Sequence, residues 1–200
     1  EALIAYVAAQ FGAQQPLPAD IPDLIDAYAF ELKDTVLGAD LERAKLMAFG
    51  LAGDFATLFR SLESTSDDIE LLTGAFVLLA KNGSDIQFLR LSAQEVPALN
   101  ANLHLKIAER MMTLGFFDVA HSWLPNDMAP ETRLMRARVF LETSRFEDAL
   151  TELAGQLTRP ATKLRAEVRL KQRAYSDAAR IFAEIDMNAP ALRAAFLANE

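Results

Sequence analysis

The chain has 200 residues, 52% apolar and 24% charged, with a formal net charge of −8 and no cysteine. This composition suits a packed globular domain or a short repeat array and excludes a disordered chain. The charge argues against general binding to nucleic acid or anionic membranes, and the missing cysteines exclude disulfides, thiolate metal sites and cysteine nucleophiles.

From the N-terminus, EALIAYVAAQF predicts a helix, GAQQPLPADIP a proline-rich turn, and DLIDAYAFELKDTVL a second helix. Together they read as a divergent helical hairpin over 1–38. The opening Glu1, where Met would be expected, and a last helix running toward Glu200 read as a trimmed or processed piece with no visible signal peptide. The next motif, AGDFATL (52–58), has a turn glycine followed by an aromatic. STSDDIE (64–70) collects acidic residues, but no glycine-bearing calcium loop surrounds them. Ser66 or Asp67 capping a helix that starts at Asp68 accounts for the same letters. The apolar run LLTGAFVLLA stops at Lys81, short of the roughly 18–20 residues a membrane span needs.

A repeat becomes visible in the second half. The frame of SRFEDAL (144–150) recurs as GFFDVAH (115–121) and RAYSDAA (173–179). Phe117, Phe146 and Tyr175 are 29 residues apart, as are Ala120, Ala149 and Ala178, and Ala108, Ala137 and Ala166. Leu124, Leu153 and Phe182 add a fourth column, while Pro130, Pro160 and Pro190 follow a 30-residue step. Such spacing predicts pairs of antiparallel helices. A small residue in each helix allows close backbone approach, and the aromatic after the turn plugs the open end. Asp118, Glu147 and Asp177 suit the positive start of the second helix, and proline is tolerated in a first helical turn. Upstream, Ile86 lies 31 residues before Phe117 and Phe55 a further 31, with Leu58 and Leu89 in the alanine column. The predicted organisation is therefore five hairpins at 39–69, 70–98, 99–129, 130–159 and 160–189, then a capping or truncated helix over 190–200. Leu164, Ala166, Val168 and Leu170 alternate with polar residues as in a strand. Their segment nevertheless occupies a helix slot and is rich in helix formers, so the fold class is all-α.

Small residues in both helices, an aromatic after the turn and a proline near the start of the next unit resemble the tetratricopeptide repeat. The resemblance covers roughly 99–190 and reaches back to about 39. The period of 29–31 is shorter than the 34 of that family, and the Trp-Leu-Gly pattern of its first helix is replaced by residues such as Arg133, Arg136 and Ala137. The resemblance implies a right-handed α-solenoid of about six hairpins whose first helices line a concave groove for a peptide or protein partner. Its implied lining includes Asp40, Arg43, Met47, Leu105, Glu109, Met112, Leu134, Arg138, Leu141, Lys163 and Glu167. The terminal-carboxylate clamp of the family is not expected: Lys163 can fill one slot, but Glu167 stands where Asn is required, and Glu109 takes the corresponding place two units earlier.

Between Arg133 and Arg173, ten Arg or Lys stand against five Asp or Glu. A solvated face explains this run, and a positive strip for an acidic partner is the sharper alternative. No catalytic chemistry is expected. His104 and His121, the only histidines, lack the ligand pattern of a metal site. Ser122 beside His121 has no nucleophile-elbow context, and no phosphate-binding glycine motif occurs. Trp123 and the methionines Met47, Met111, Met112, Met128 and Met135 read as core packing, with exposed binding roles as the alternative. The expectation is an interaction scaffold with no cofactor, no nucleic acid and no membrane span. Alternatives are the non-catalytic helical arm of a larger enzyme, similar to that of lytic transglycosylases, and a periplasmic sensor.

Overall fold

The computed structural model describes residues 1–64, 68–93 and 99–199. Among these residues every regular element is an α-helix. The chain forms two compact units, residues 1–107 and 108–200, with the division inside α7. The first unit contains α1 (Ala2–Ala13), α2 (Ile21–Glu31), α3 (Gly38–Ala52), α4 (Phe55–Ser64), α5 (Ile69–Asn82), α6 (Asp85–Leu91) and the start of α7 (Ala101–Thr113). The second contains the rest of α7, then α8 (Phe117–Trp123), α9 (Pro130–Glu142), α10 (Phe146–Leu153), α11 (Arg159–Lys171), α12 (Tyr175–Glu184) and α13 (Asn188–Leu197). Consecutive helices pack against one another from α2 to α6 and again from α8 to α13.

In the 108–200 unit one turn geometry recurs. Gly115, Ser144 and Arg173 take left-handed φ values of 83°, 61° and 62°. The N–H of the following residue reaches back to close the helix: Phe116 to Met111 O (2.9 Å), Arg145 to Phe140 O (2.7 Å) and Ala174 to Arg169 O (2.9 Å). These bonds satisfy carbonyls that a helix end would otherwise leave open. Phe117, Phe146 and Tyr175 then become the first residues of α8, α10 and α12 and are half-buried. The acidic residues Asp118, Glu147, Asp148 and Asp177 follow in the first turns, where exposed N–H groups favour negative charge.

The alanine columns are where the helices meet. Ala108, Ala137, Ala166, Ala120, Ala149 and Ala178 are all fully buried. One core cluster joins α9, α10 and α11 through Ala137, Ala149, Leu153, Ala161, Leu164 and Val168. Another joins α11, α12 and α13 through Ala166, Ala178, Ile181, Phe182 and Ala194. Burial of side chains such as Leu153 and Phe182 is worth about 1.5–3 kcal/mol each. Helix α11 lies between the two clusters, which explains its strand-like lettering. Leu164 and Val168 face one cluster, Ala166 and Leu170 the other. A helix buried on two opposite faces alternates locally without being a strand.

The 1–107 unit has an apolar core with Phe55, Leu58, Leu71, Phe76, Leu79 and Phe88 buried. The rings of Phe59 and Phe76 meet edge to face at 4.8 Å. Phe11 of α1 lies against Gly74 of α5 so closely that a Cβ at position 74 would run into its ring. Asp68 caps α5 by accepting from the Leu71 N–H at 3.0 Å. The candidate caps Ser66 and Asp67 lie outside the described residues. Ser84 and Gln87 form a reciprocal capping box on α6. Helix α2 stops at Glu31 rather than continuing to Leu37. There Thr35 Oγ1 donates to Leu32 O at 2.7 Å and accepts from the Leu37 N–H at 3.3 Å, a local alternative to helical pairing.

Candidate functional site

Three cavities take up all but Asp40 of the charged residues singled out by sequence as groove lining. One in the 108–200 unit is about 380 Å³ and is lined by Glu109 and Met112 of α7, Glu131, Leu134, Met135 and Arg138 of α9, and Pro160, Lys163, Leu164 and Glu167 of α11. The α9 residues follow i, i+3, i+4, i+7 spacing and therefore share one helix face. The α11 residues repeat that spacing 29 residues later, so the same face of α9 and of α11 is turned inward. Met112, Leu134 and Met135 are half-buried and Leu164 is buried, giving an apolar floor. Glu109, Glu131, Arg138 and Lys163 are exposed around it. An adjoining cavity of about 370 Å³ shares Glu109, Met112 and Arg138 and adds Thr113, Phe117 and Glu142.

Leu105 is half-buried on α7 and lines neither of these cavities. Leu141 is 6% exposed and belongs to the core of α9, α10 and α11, although Met112, one step earlier in the frame, reaches the cavity. Asp40 is exposed in the first turn of α3. Arg43 and Met47 line a separate cavity of about 440 Å³ in the 1–107 unit, together with Phe11, Glu70 and Gly74. The Arg43 guanidinium is already engaged. Its Nε donates to Asp68 Oδ2 at 2.5 Å and its Nη2 to Glu70 Oε2 at 3.2 Å. The hydrogen bond from Arg43, reinforced by the Leu71 N–H and the nearby positive charge, holds the Asp68 carboxyl below its ordinary pKa.

Sequence reading missed Glu131, Met135, Pro160 and Leu164 on the α9 and α11 walls. Their signal was the i±3 and i±4 spacing from Leu134, Arg138, Lys163 and Glu167. It also missed where the arginines of 133–173 go. Arg136 donates to Glu152 Oε1 (3.0 Å), Pro125 O (2.7 Å) and Asp127 O (2.6 Å). Arg133 donates to Thr151 O and Ala154 O at 3.2 and 3.1 Å. Arg165 donates to Leu153 O and Gln156 O at 3.0 and 2.9 Å. These guanidiniums close helix ends and connecting loops instead of forming a solvated strip. Lys163 Nζ stands 3.6 Å from Glu167 Oε1.

His104 is buried on α7. The His121 ring lies 5.3 Å from that of Phe140, and the neighbouring Ser122 hydroxyl donates to Val119 O at 2.8 Å. Among the described residues no group of three His, Asp or Glu is placed to hold a metal ion. Trp123 and Met111 are fully buried and Met47 lines the cavity beside Arg43, whereas Met128 is exposed and Met112 and Met135 face the α7–α9–α11 cavity. Among the described residues no helix is long and apolar enough to cross a membrane. No protein-family model, curated protein or solved structure matches this chain.

Proposed function

We propose that the chain is a tetratricopeptide-like, right-handed α-solenoid of about six helical hairpins. Its role in this reading is to hold a segment of a protein partner in the cavity between α7, α9 and α11. The supporting observation is that one face of each of these three helices is turned onto a half-buried apolar floor with charges at its edge. A floor of Met112, Leu134 and Met135 takes apolar side chains of varied shape, because methionine adapts, while charges at the edge select orientation and partner. The reading calls for no catalytic step and no cofactor.

Affinity capture from native extract tests this, with a photoreactive residue replacing Met135 to mark what enters the cavity. The parent chain is expected to retain and crosslink one partner through α9 or α11. The variant Arg138→Glu, Lys163→Glu is expected to alter that capture. Equal retention by both chains, with no crosslink at position 135, would place binding elsewhere; capture of nothing would favour a structural arm of a longer protein.

A further inference from the structure

We infer that the segment received by the α7–α9–α11 cavity is cationic and carries apolar anchors; this rests on the binding role proposed above. The sequence between Arg133 and Arg173 is basic, but several of its cations are engaged elsewhere. Arg133, Arg136 and Arg165 donate to backbone carbonyls. Arg145 pairs with Asp148 at 2.7 Å and lies over the Phe140 ring. Lys163 is matched by Glu167 on its own helix. Arg138 is then the one cation of the lining without an ion pair among the described residues, and Glu109 and Glu131, with Glu142 of the adjoining cavity, are carboxylates in the same condition.

The lining thus carries an excess of negative charge above an apolar floor, opposite in sign to the surrounding sequence. A Lys- or Arg-bearing segment complements it, whereas an acidic segment meets three unneutralised carboxylates. The same frame extends to α13. Leu192 and Phe196 stand two 29-residue steps beyond Leu134 and Arg138, and they are 71% and 67% exposed. Two large apolar side chains at i, i+4 spacing form one patch on that helix. The frame therefore assigns an apolar anchor of the segment to α13.

The test is selection of a phage-displayed random peptide library on the full chain, followed by anisotropy titration of the enriched peptides carrying fluorescein. Enriched peptides are expected to combine Lys or Arg with Leu, Met, Ile or Phe. Their affinity should fall roughly tenfold on changing Glu109, Glu131 and Glu142 together to Gln, as three exposed pairs of a few tenths to about 1 kcal/mol imply. It should also weaken with added salt, and in Leu192→Ser, Phe196→Ser. These side chains are exposed or at the surface, and circular dichroism checks that each variant is folded. Cationic peptides indifferent to the triple Gln variant would overturn the inference. So would acidic peptides lost in Arg138→Glu, which leave the cavity as a binding site of the other sign. Enrichment of nothing, or of peptides indifferent to Leu134→Ser, would overturn the inference and the binding role together.

Discussion

Arg165 repeats, one 29-residue step later, the part played by Arg136. Arg136 holds the carbonyls of Pro125 and Asp127 after α8, and Arg165 holds those of Leu153 and Gln156 at the end of α10. A planar fork of N–H donors bridges two carbonyls in a way a lysine ammonium does not. In α9 and α11 the residue just before the buried alanine is thereby used to tie the helix to the connection preceding it. Arg136 goes further and pairs with Glu152 of α10 through a side chain that is largely enclosed.

The two arginines should therefore differ in measured weight. Arg136→Ala takes the donor from two carbonyls and leaves Glu152 with only Arg133, 3.4 Å away, and is expected to cost about 2–3 kcal/mol, less than the breaking of a fully buried ion pair. Arg165→Ala leaves only neutral carbonyls and should cost about 1–2 kcal/mol. Urea unfolding followed by Trp123 fluorescence reads both, because Trp123 is the sole tryptophan and is buried in the same unit. A larger loss at Arg165 would contradict this ranking.

Ala149 and Ala178 occupy equivalent, fully buried positions on α10 and α12. Ala149→Leu and Ala178→Leu should each destabilise by about 1–3 kcal/mol, because added methylenes have no space among α9, α11 and their neighbours. Ala183→Leu, exposed on α12, should stay within about 0.5 kcal/mol of the parent. Equal effects at positions 149 and 183 would mean that the alanine column is not a packing column.

The helical fold was legible because close helix approach leaves only small residues acceptable at fixed intervals, and Ala108, Ala137 and Ala166 record that interval directly. What could not be read was the destination of long polar side chains. Arg133, Arg136 and Arg165 look like a basic strip in one dimension, yet their partners are carbonyls and a carboxylate 9–21 residues away. Arg43 likewise meets Asp68 and Glu70 only once α3 and α5 lie side by side. Leu141 shows the limit of a repeat frame: its phase matches Met112, but packing of α10 and α11 on α9 encloses it. Beyond the end of α2 at Glu31 the Thr35 hydroxyl bonds to Leu32 O and the Leu37 N–H, local pairing that hydrophobic periodicity does not register.

The left-handed turn residues make a prediction of opposite sign. Ser144 and Arg173 hold φ of 61° and 62° where Gly115 holds 83°. A Cβ is unfavourable in that conformation, and glycine removes the penalty at some entropic cost in the unfolded chain. Ser144→Gly and Arg173→Gly are each expected to stabilise by about 0.5–1 kcal/mol, and Gly115→Ala to destabilise by about 1 kcal/mol. Thermal unfolding followed by circular dichroism should give midpoint shifts in opposite directions for the two kinds of change. A fall in midpoint for both Ser144→Gly and Arg173→Gly would remove the strain argument.

The Asp68–Arg43 pair should appear in the acid limb of the stability curve. Hydrogen bonding from Arg43 lowers the Asp68 pKa in the folded chain, whereas the unfolded value is about 3.9. The contribution is therefore fully present above that unfolded value and is lost as pH falls through the lower folded one. Asp68→Asn keeps an N-cap acceptor for the Leu71 N–H but removes the charge that faces Arg43. At neutral pH the substitution should cost roughly 0.5–1 kcal/mol, the range for a partly exposed pair. The gap between parent and variant should remain level from neutrality to about pH 5 and close at more acidic pH, as Asp68 takes up its proton. Urea midpoints collected across this range for both chains give the curve. A gap that persists unchanged to the acid end of the range would show that Asp68 acts through its cap alone and that Arg43 adds nothing.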